Sequence, residues 1–241
     1  GYAGEEAVKT PNIDKFADEG CVYANAISPL PVCGPYRGSL LTGRTPMSTG
    51  LVINDIPLRT TEVSIAHCFK ADGYDTAYIG KWHLDGPDRS APVPPGPRRQ
   101  GFEYWMAANF DHNYNRSYFT DNDGNLKIWE GWDAEAQTTH TIDYLKARDS
   151  ENPFCLFLSW GPPHHPYRLV PEKYLDMYDA DAIEGRPNCP DVPRRDLWGY
   201  YAQTTFLDDQ FQRLLAAIDD LGVRDDTIVV FTSDHGDMHG S

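Results

Sequence analysis

Phe154-Cys155-Leu156-Phe157-Leu158-Ser159-Trp160 is an almost unbroken apolar run between Pro153 and Gly161. A strand without polar alternation is covered on both faces, so helices must pack on each side of its sheet. Tyr74–Ile79, rich in β-formers, and Thr227–Thr232 read as further strands of that kind. A helical stretch precedes each. Glu62–Ala71 places Ile65, Ala66 and Phe69 on one side and stops at Gly73, and Ala134–Arg148 leads into the Phe154 run. Asp196–Leu221 carries an apolar side of Tyr200, Phe206, Phe211, Leu214, Leu215 and Ile218 before Gly222. The alternation predicts an α/β fold, a mainly parallel sheet with helices on both faces.

The remaining chain fits around this frame. Thr10 as N-cap and Pro11 as first helical residue open a helix with Ile13, Phe16 and Ala17 on one face, ended by Gly20. Cys21–Ile27 reads as a short strand, and Gly124–Trp132 as a small hairpin. Pro87, Pro92, Pro94, Pro95 and Pro97 make the long connection 85–118 irregular, and 169–195 is a second such connection. A chain of 241 residues suits one domain spanning 1–241. The net charge of −15 argues against a nucleic-acid partner. No apolar run approaches the roughly 18 residues of a membrane span. Cys21, Cys33, Cys68, Cys155 and Cys189 show neither a disulfide framework nor a zinc spacing.

Chemistry gathers at the turns. Cys33-Gly34-Pro35-Tyr36-Arg37 opens a helix that can run from Tyr36 to Thr42 and stop at Gly43. Cys33 stands at the positive helix end with Arg37 on the same side, and both favour negative charge at the cysteine. Gly80-Lys81-Trp82-His83-Leu84 follows a strand, so Lys81 and His83 project to one side and Trp82 to the other. The Phe154 run ends in Gly161-Pro162-Pro163-His164-His165-Pro166. Ser233-Asp234-His235-Gly236 ends the last strand, where an Asp is a natural metal ligand or helix cap.

Together these segments resemble one family. Cys33-x-Pro35-x-Arg37 followed by x-Ser39-Leu40-Leu41-Thr42-Gly43-Arg44 is similar to the signature of the type I sulfatases of the alkaline phosphatase superfamily. Tyr36 stands where many members have Ser. Thr10-Pro11-Asn12-Ile13-Asp14, Gly80-Lys81-Trp82-His83-Leu84, Pro163-His164-x-Pro166 and Ser233–Ser241 resemble further segments of that family, in the same order. The resemblance implies that a maturation enzyme oxidises Cys33 to formylglycine, whose hydrate is the nucleophile. It implies that Arg37, Lys81 and His164 bind the sulfate and that Lys81 or His164 protonates the leaving oxygen. His83 is then the candidate base that frees the sulfate, and Asp234 and His235, with position 33, hold a divalent metal. Ca²⁺ is implied, and His235 leaves Mg²⁺ or Mn²⁺ open. The family's Asp-Asp pair belongs to a strand before Gly1 and a further lysine to a segment after Ser241. The 241 residues taken alone are therefore expected to bind metal weakly and turn over little.

The reaction implied is hydrolysis of a sulfate monoester. Trp105, Phe110, His112, Tyr114 and Tyr118 in the aromatic-rich loop suit stacking on a sugar ring, and equally packing of the loop against its own domain. A phosphonate or phosphodiester hydrolase of the same superfamily is the alternative, and a non-catalytic relative that binds sulfated glycans is another. The resemblance favours a periplasmic or secreted location.

Overall fold

The computed structural model describes residues 1–149 and 151–239. The chain opens with helices α1 (Pro11–Glu19), α2 (Cys33–Thr42), α3 (Pro46–Thr49) and α4 (Ile65–Ala71). Strands β1 (Asp75–Lys81), β2 (Tyr104–Ala108), β3 (Tyr118–Thr120) and β4 (Leu126–Ile128) follow. Helix α5 (Asp133–Ala147), strand β5 (Phe154–Ser159), helix α6 (Glu172–Leu175) and the long α7 (Arg194–Asp220) complete the order. The strands form one sheet, β4-β3-β2-β1-β5. β1 is parallel to β2 and β5, while β3 and β4 extend the sheet antiparallel.

Register explains the two cores. Tyr78 lies opposite Trp105 and Phe157, and the next row pairs Ile79 with Met106 and Leu158. Successive side chains point to opposite faces. The first row packs with Trp82, Leu41, Leu51 and Ala66 under α2 and α4. The second packs with Phe119, Trp129 and Ala136 of α5. The sheet is mixed and covered by helices on both sides.

Local chemistry sets the helix bounds. α2 begins at Cys33 itself, earlier than Tyr36, and stops at Gly43 with φ +65°. α4 begins at Ile65, later than Glu62, because Ser64 and His67 form a reciprocal cap. Gly80 has φ +103°, and a Cβ there would fall 2.1 Å from the Ser159 carbonyl oxygen. Only glycine allows β1 and β5 to run side by side at this point.

Five expectations are corrected. Connection 85–118 contains β2, because Tyr104–Ala108 finds the free edge of β1 beyond the prolines. The hairpin starts earlier than Gly124, at Tyr118, since Asp121 closes the turn by accepting from the Asn125 backbone N–H. Phe154–Ser159 lies at a sheet edge and is only half-buried, since no described strand pairs with its outer side. Cys21–Ile27 and Thr227–Thr232 form no strand among the described residues, and Ile228 is 92% and Val230 76% exposed. Strand propensity becomes a strand only where a neighbour offers backbone partners. Of the Ser233–Ser241 motif, Gly240 and Ser241 lie outside the described residues.

Candidate active site

Cys33 sits in the first turn of α2 and is 6% exposed. Its neighbour Gly34 donates its backbone N–H to Asn54 Oδ1 at 2.8 Å, which ties the turn to the following loop. His235 Nε2 lies 3.1 Å and Lys81 Nζ 3.6 Å from the Cys33 sulfur. Burial alone would push the thiol up. Hydrogen bonding by His235, the nearby His83 imidazole and the Lys81 charge outweigh it and bring the thiol down to about 5. The same contact raises His235 to about 9. The two shifts together favour a thiolate beside an imidazolium.

Arg37 holds the floor of the site. Its Nη1 donates to the Lys81 carbonyl at 2.8 Å and to Ser159 Oγ at 2.7 Å, joining the ends of β1 and β5. Its Nη2 donates to Asp234 Oδ2 at 3.0 Å. Burial favours a neutral Asp234, but the Arg37, Lys81 and His235 charges hold its carboxyl below the usual range. Arg37 is thus a fixed cation behind Cys33, with its donors directed mainly at protein acceptors.

The strand ends deliver the other groups. Lys81 and His83 are both buried, while Trp82 points into the core beside Tyr78 and Trp105. Burial, then the Arg37 charge, lowers Lys81. His164 lies at the rim. Its Nδ1 is 2.7 Å from the His165 carbonyl oxygen, and burial pushes its imidazole down despite that contact. The His165 ring turns instead toward Tyr167.

Several residues here carry no motif. Asn54, Tyr78 and Ser159 hold Gly34, the Lys81 carbonyl and Arg37 in place. His112 packs tilted against His164 with ring centroids 4.0 Å apart. Burial, then the neighbouring His164 and Lys81 charges, lowers His112 to about 3. Tyr114 donates its hydroxyl to the His164 carbonyl at 2.8 Å. The aromatic loop was the signal for His112 and Tyr114. The other three lie in ordinary strand or loop sequence.

Donor atoms of Cys33, Asp234 and His235 lie within 4.8 Å of one another. The set fits a divalent cation in part. One carboxylate and one imidazole are suitable, while a thiol is soft for a cation that prefers oxygen. An oxygen-bearing group at position 33 would harden the set. Asp234 Oδ2 accepts from Arg37 and Oδ1 from the His235 backbone N–H, so a cation would take a remaining lone pair of the carboxylate.

A buried cysteine at a helix start, with Lys81 and His235 against its sulfur and Arg37 at the ends of two parallel strands, makes a site whose charge suits an anionic group. The comparisons give the family. The family model described as Sulfatase matches residues 1–241, and the chain belongs to the sulfatase family. It is 44% identical to the ulvan-active sulfatase of Formosa agariphila over all of this chain and 48% of that relative. It is 33% identical to an endo-4-O-sulfatase of Bacteroides thetaiotaomicron, over 96% of this chain and 52% of that relative. The solved structure of a candidate sulfatase from Bacteroides fragilis superposes with a TM-score of 0.92 at 33% identity. That match covers 99% of this chain and 59% of the other. The chain spans about half the length of the curated relatives it matches. The family generally uses formylglycine and a divalent metal. Among the described residues, no helix is long and apolar enough to cross a membrane.

Proposed function

We propose that the protein hydrolyses a sulfate monoester on a carbohydrate, with position 33 as the nucleophile after conversion of Cys33 to formylglycine by a maturation enzyme. The observation that carries this reading is the setting of Cys33. It is buried on the first turn of α2, with Lys81 and His235 against its sulfur and Arg37 behind it. The converted residue, when hydrated, supplies an oxygen nucleophile on a carbon that can later release the sulfate. Lys81 and His164 then bind the sulfate oxygens, and Arg37 supplies fixed positive charge beneath them. Lys81 or His164 gives a proton to the leaving oxygen. His83 holds a proton-accepting nitrogen beside position 33. Ca²⁺ on Asp234, His235 and an oxygen at position 33 is the metal the reading favours, and it would add charge for orienting the sulfate.

The relatives active on ulvan and at a 4-O-sulfate make sulfated polysaccharides the first substrates to try. The test is made on protein produced together with a maturation enzyme. The Cys33 peptide is expected to lose about 18 Da, the thiol-to-aldehyde change, and the protein to release sulfate from an aryl sulfate or a sulfated oligosaccharide. Cys33→Ala is expected to abolish release. An unconverted thiol together with no sulfate release would overturn the proposal.

A further inference from the structure

His83 is 2% exposed, and neither ring nitrogen has a hydrogen-bond partner among the described residues. Asp55 Oδ1 is also buried without one. These orphaned atoms face each other, with His83 Nε2 3.8 Å from Asp55 Oδ1. The other Asp55 oxygen, Oδ2, is held by an ion pair with Arg89 Nη2. Arg89 lies over the Phe110 ring at 4.8 Å, and that ring stands 5.2 Å from the His83 imidazole. The imidazole is therefore clamped between a carboxylate and an aromatic face.

The backbone supports the same arrangement. Asp55 has φ +69°, a conformation that Asp and Asn tolerate better than other residues with a side chain. Its neighbour Asn54 is bound to the Cys33 turn through Gly34. A Cβ at Gly86 would lie 2.1 Å from the Asp55 carbonyl oxygen, so the chain packs closely over this loop. The loop thus joins the nucleophile turn to the carboxylate that faces His83.

We propose that Asp55 is a positioning residue for His83. Resting on the sulfatase reading above, it makes position 33, His83 and Asp55 a nucleophile–imidazole–carboxylate series. Asp55 Oδ1 accepts from His83 Nε2–H, keeps the proton on that nitrogen and leaves the lone pair on Nδ1. The separation of 3.8 Å is beyond hydrogen-bond length and closes by less than an ångström when substrate tightens the site. A carboxylate that orients a catalytic imidazole by holding one ring N–H is a recurring device in nucleophilic enzymes.

The test is Asp55→Asn in the native, matured protein. Arg89 retains the amide oxygen as its partner, so the amide NH₂ turns toward His83 and donates to Nε2. That moves the ring proton to Nδ1. Nitrogen NMR of ¹⁵N-histidine protein is expected to show His83 protonated on Nε2 in the wild type and on Nδ1 in the variant. With an aryl sulfate, kcat is expected to fall by roughly tenfold or more with KM changed by less than about twofold. His83→Gln added to Asp55→Asn is expected to cost little further, because the two act as one unit. An unchanged His83 tautomer, or equal and independent losses in the two variants, would overturn the proposal. If the wild type released no sulfate, the sulfatase reading would fail and the tautomer would still decide the role of Asp55.

Discussion

Asp133 offers a sharp pH test of how the start of α5 is buried. It is the first residue of α5 and 3% exposed, with Ser117 Oγ donating to its carboxylate at 3.1 Å and the Ala134 N–H at 2.7 Å. Burial pushes its carboxyl from 3.8 up to about 7, against the lowering effect of those two bonds. The folded state therefore binds a proton that the unfolded chain has released, and stability falls as pH rises between these values. At about 1.36 kcal/mol per pH unit, the full loss is about 4 kcal/mol once pH is well above 7. Asn is neutral throughout. It can accept from Ala134 and donate to Ser117, whose hydroxyl rotates to suit. The stability of Asp133→Asn relative to wild type is expected to rise by about 3 kcal/mol from pH 5 to pH 9, or roughly 6–12 °C in melting temperature. Urea and thermal unfolding at matched ionic strength read this difference, and any pH-independent effect of the substitution cancels. Parallel wild-type and variant curves across this range would refute the claim that the carboxylate is desolvated.

Two further outcomes follow from the same geometry. Arg37→Lys keeps the charge but cannot reach Lys81, Ser159 and Asp234 at once, leaving buried acceptors unpaired. A loss of about 3–5 kcal/mol in urea unfolding and a fall in kcat/KM of roughly a hundredfold are expected, and wild-type values would contradict it. Gly80→Ala drives a methyl into the Ser159 carbonyl and forces a strained φ. A destabilisation of roughly 3 kcal/mol or more is expected from its melting curve, and a wild-type curve would refute close approach of β1 and β5.

Much of the fold was readable because local patterns and tertiary packing agree. Tyr74–Ile79 is rich in β-formers and Phe154–Trp160 in aromatic and other apolar residues, and each found a parallel partner. Helices α1, α4 and α7 were bounded by Pro11, Gly73 and Gly222, with a shift of a few residues at α4 where a cap intervened. β2 was hidden because Tyr104–Ala108 follows a proline-rich loop, and only the exposed edge of β1 makes it a strand. Thr227–Thr232 has strand composition without a described partner, so propensity alone misassigned it.

The candidate site divides in the same way. The sequence alone marked Cys33, Arg37, Lys81, His83, His164, Asp234 and His235, because unusual residue types fell at strand ends and helix starts in a familiar order. It also determined family membership, since those motifs are local strings. Tertiary structure alone decided that Arg37 braces Ser159 and Asp234, that His112 packs against His164, and that Asp55 faces His83. Those relations join residues far apart in the chain through distances of a few ångströms. Local propensity carries no record of such distances, and only the packed sheet and its loops set them.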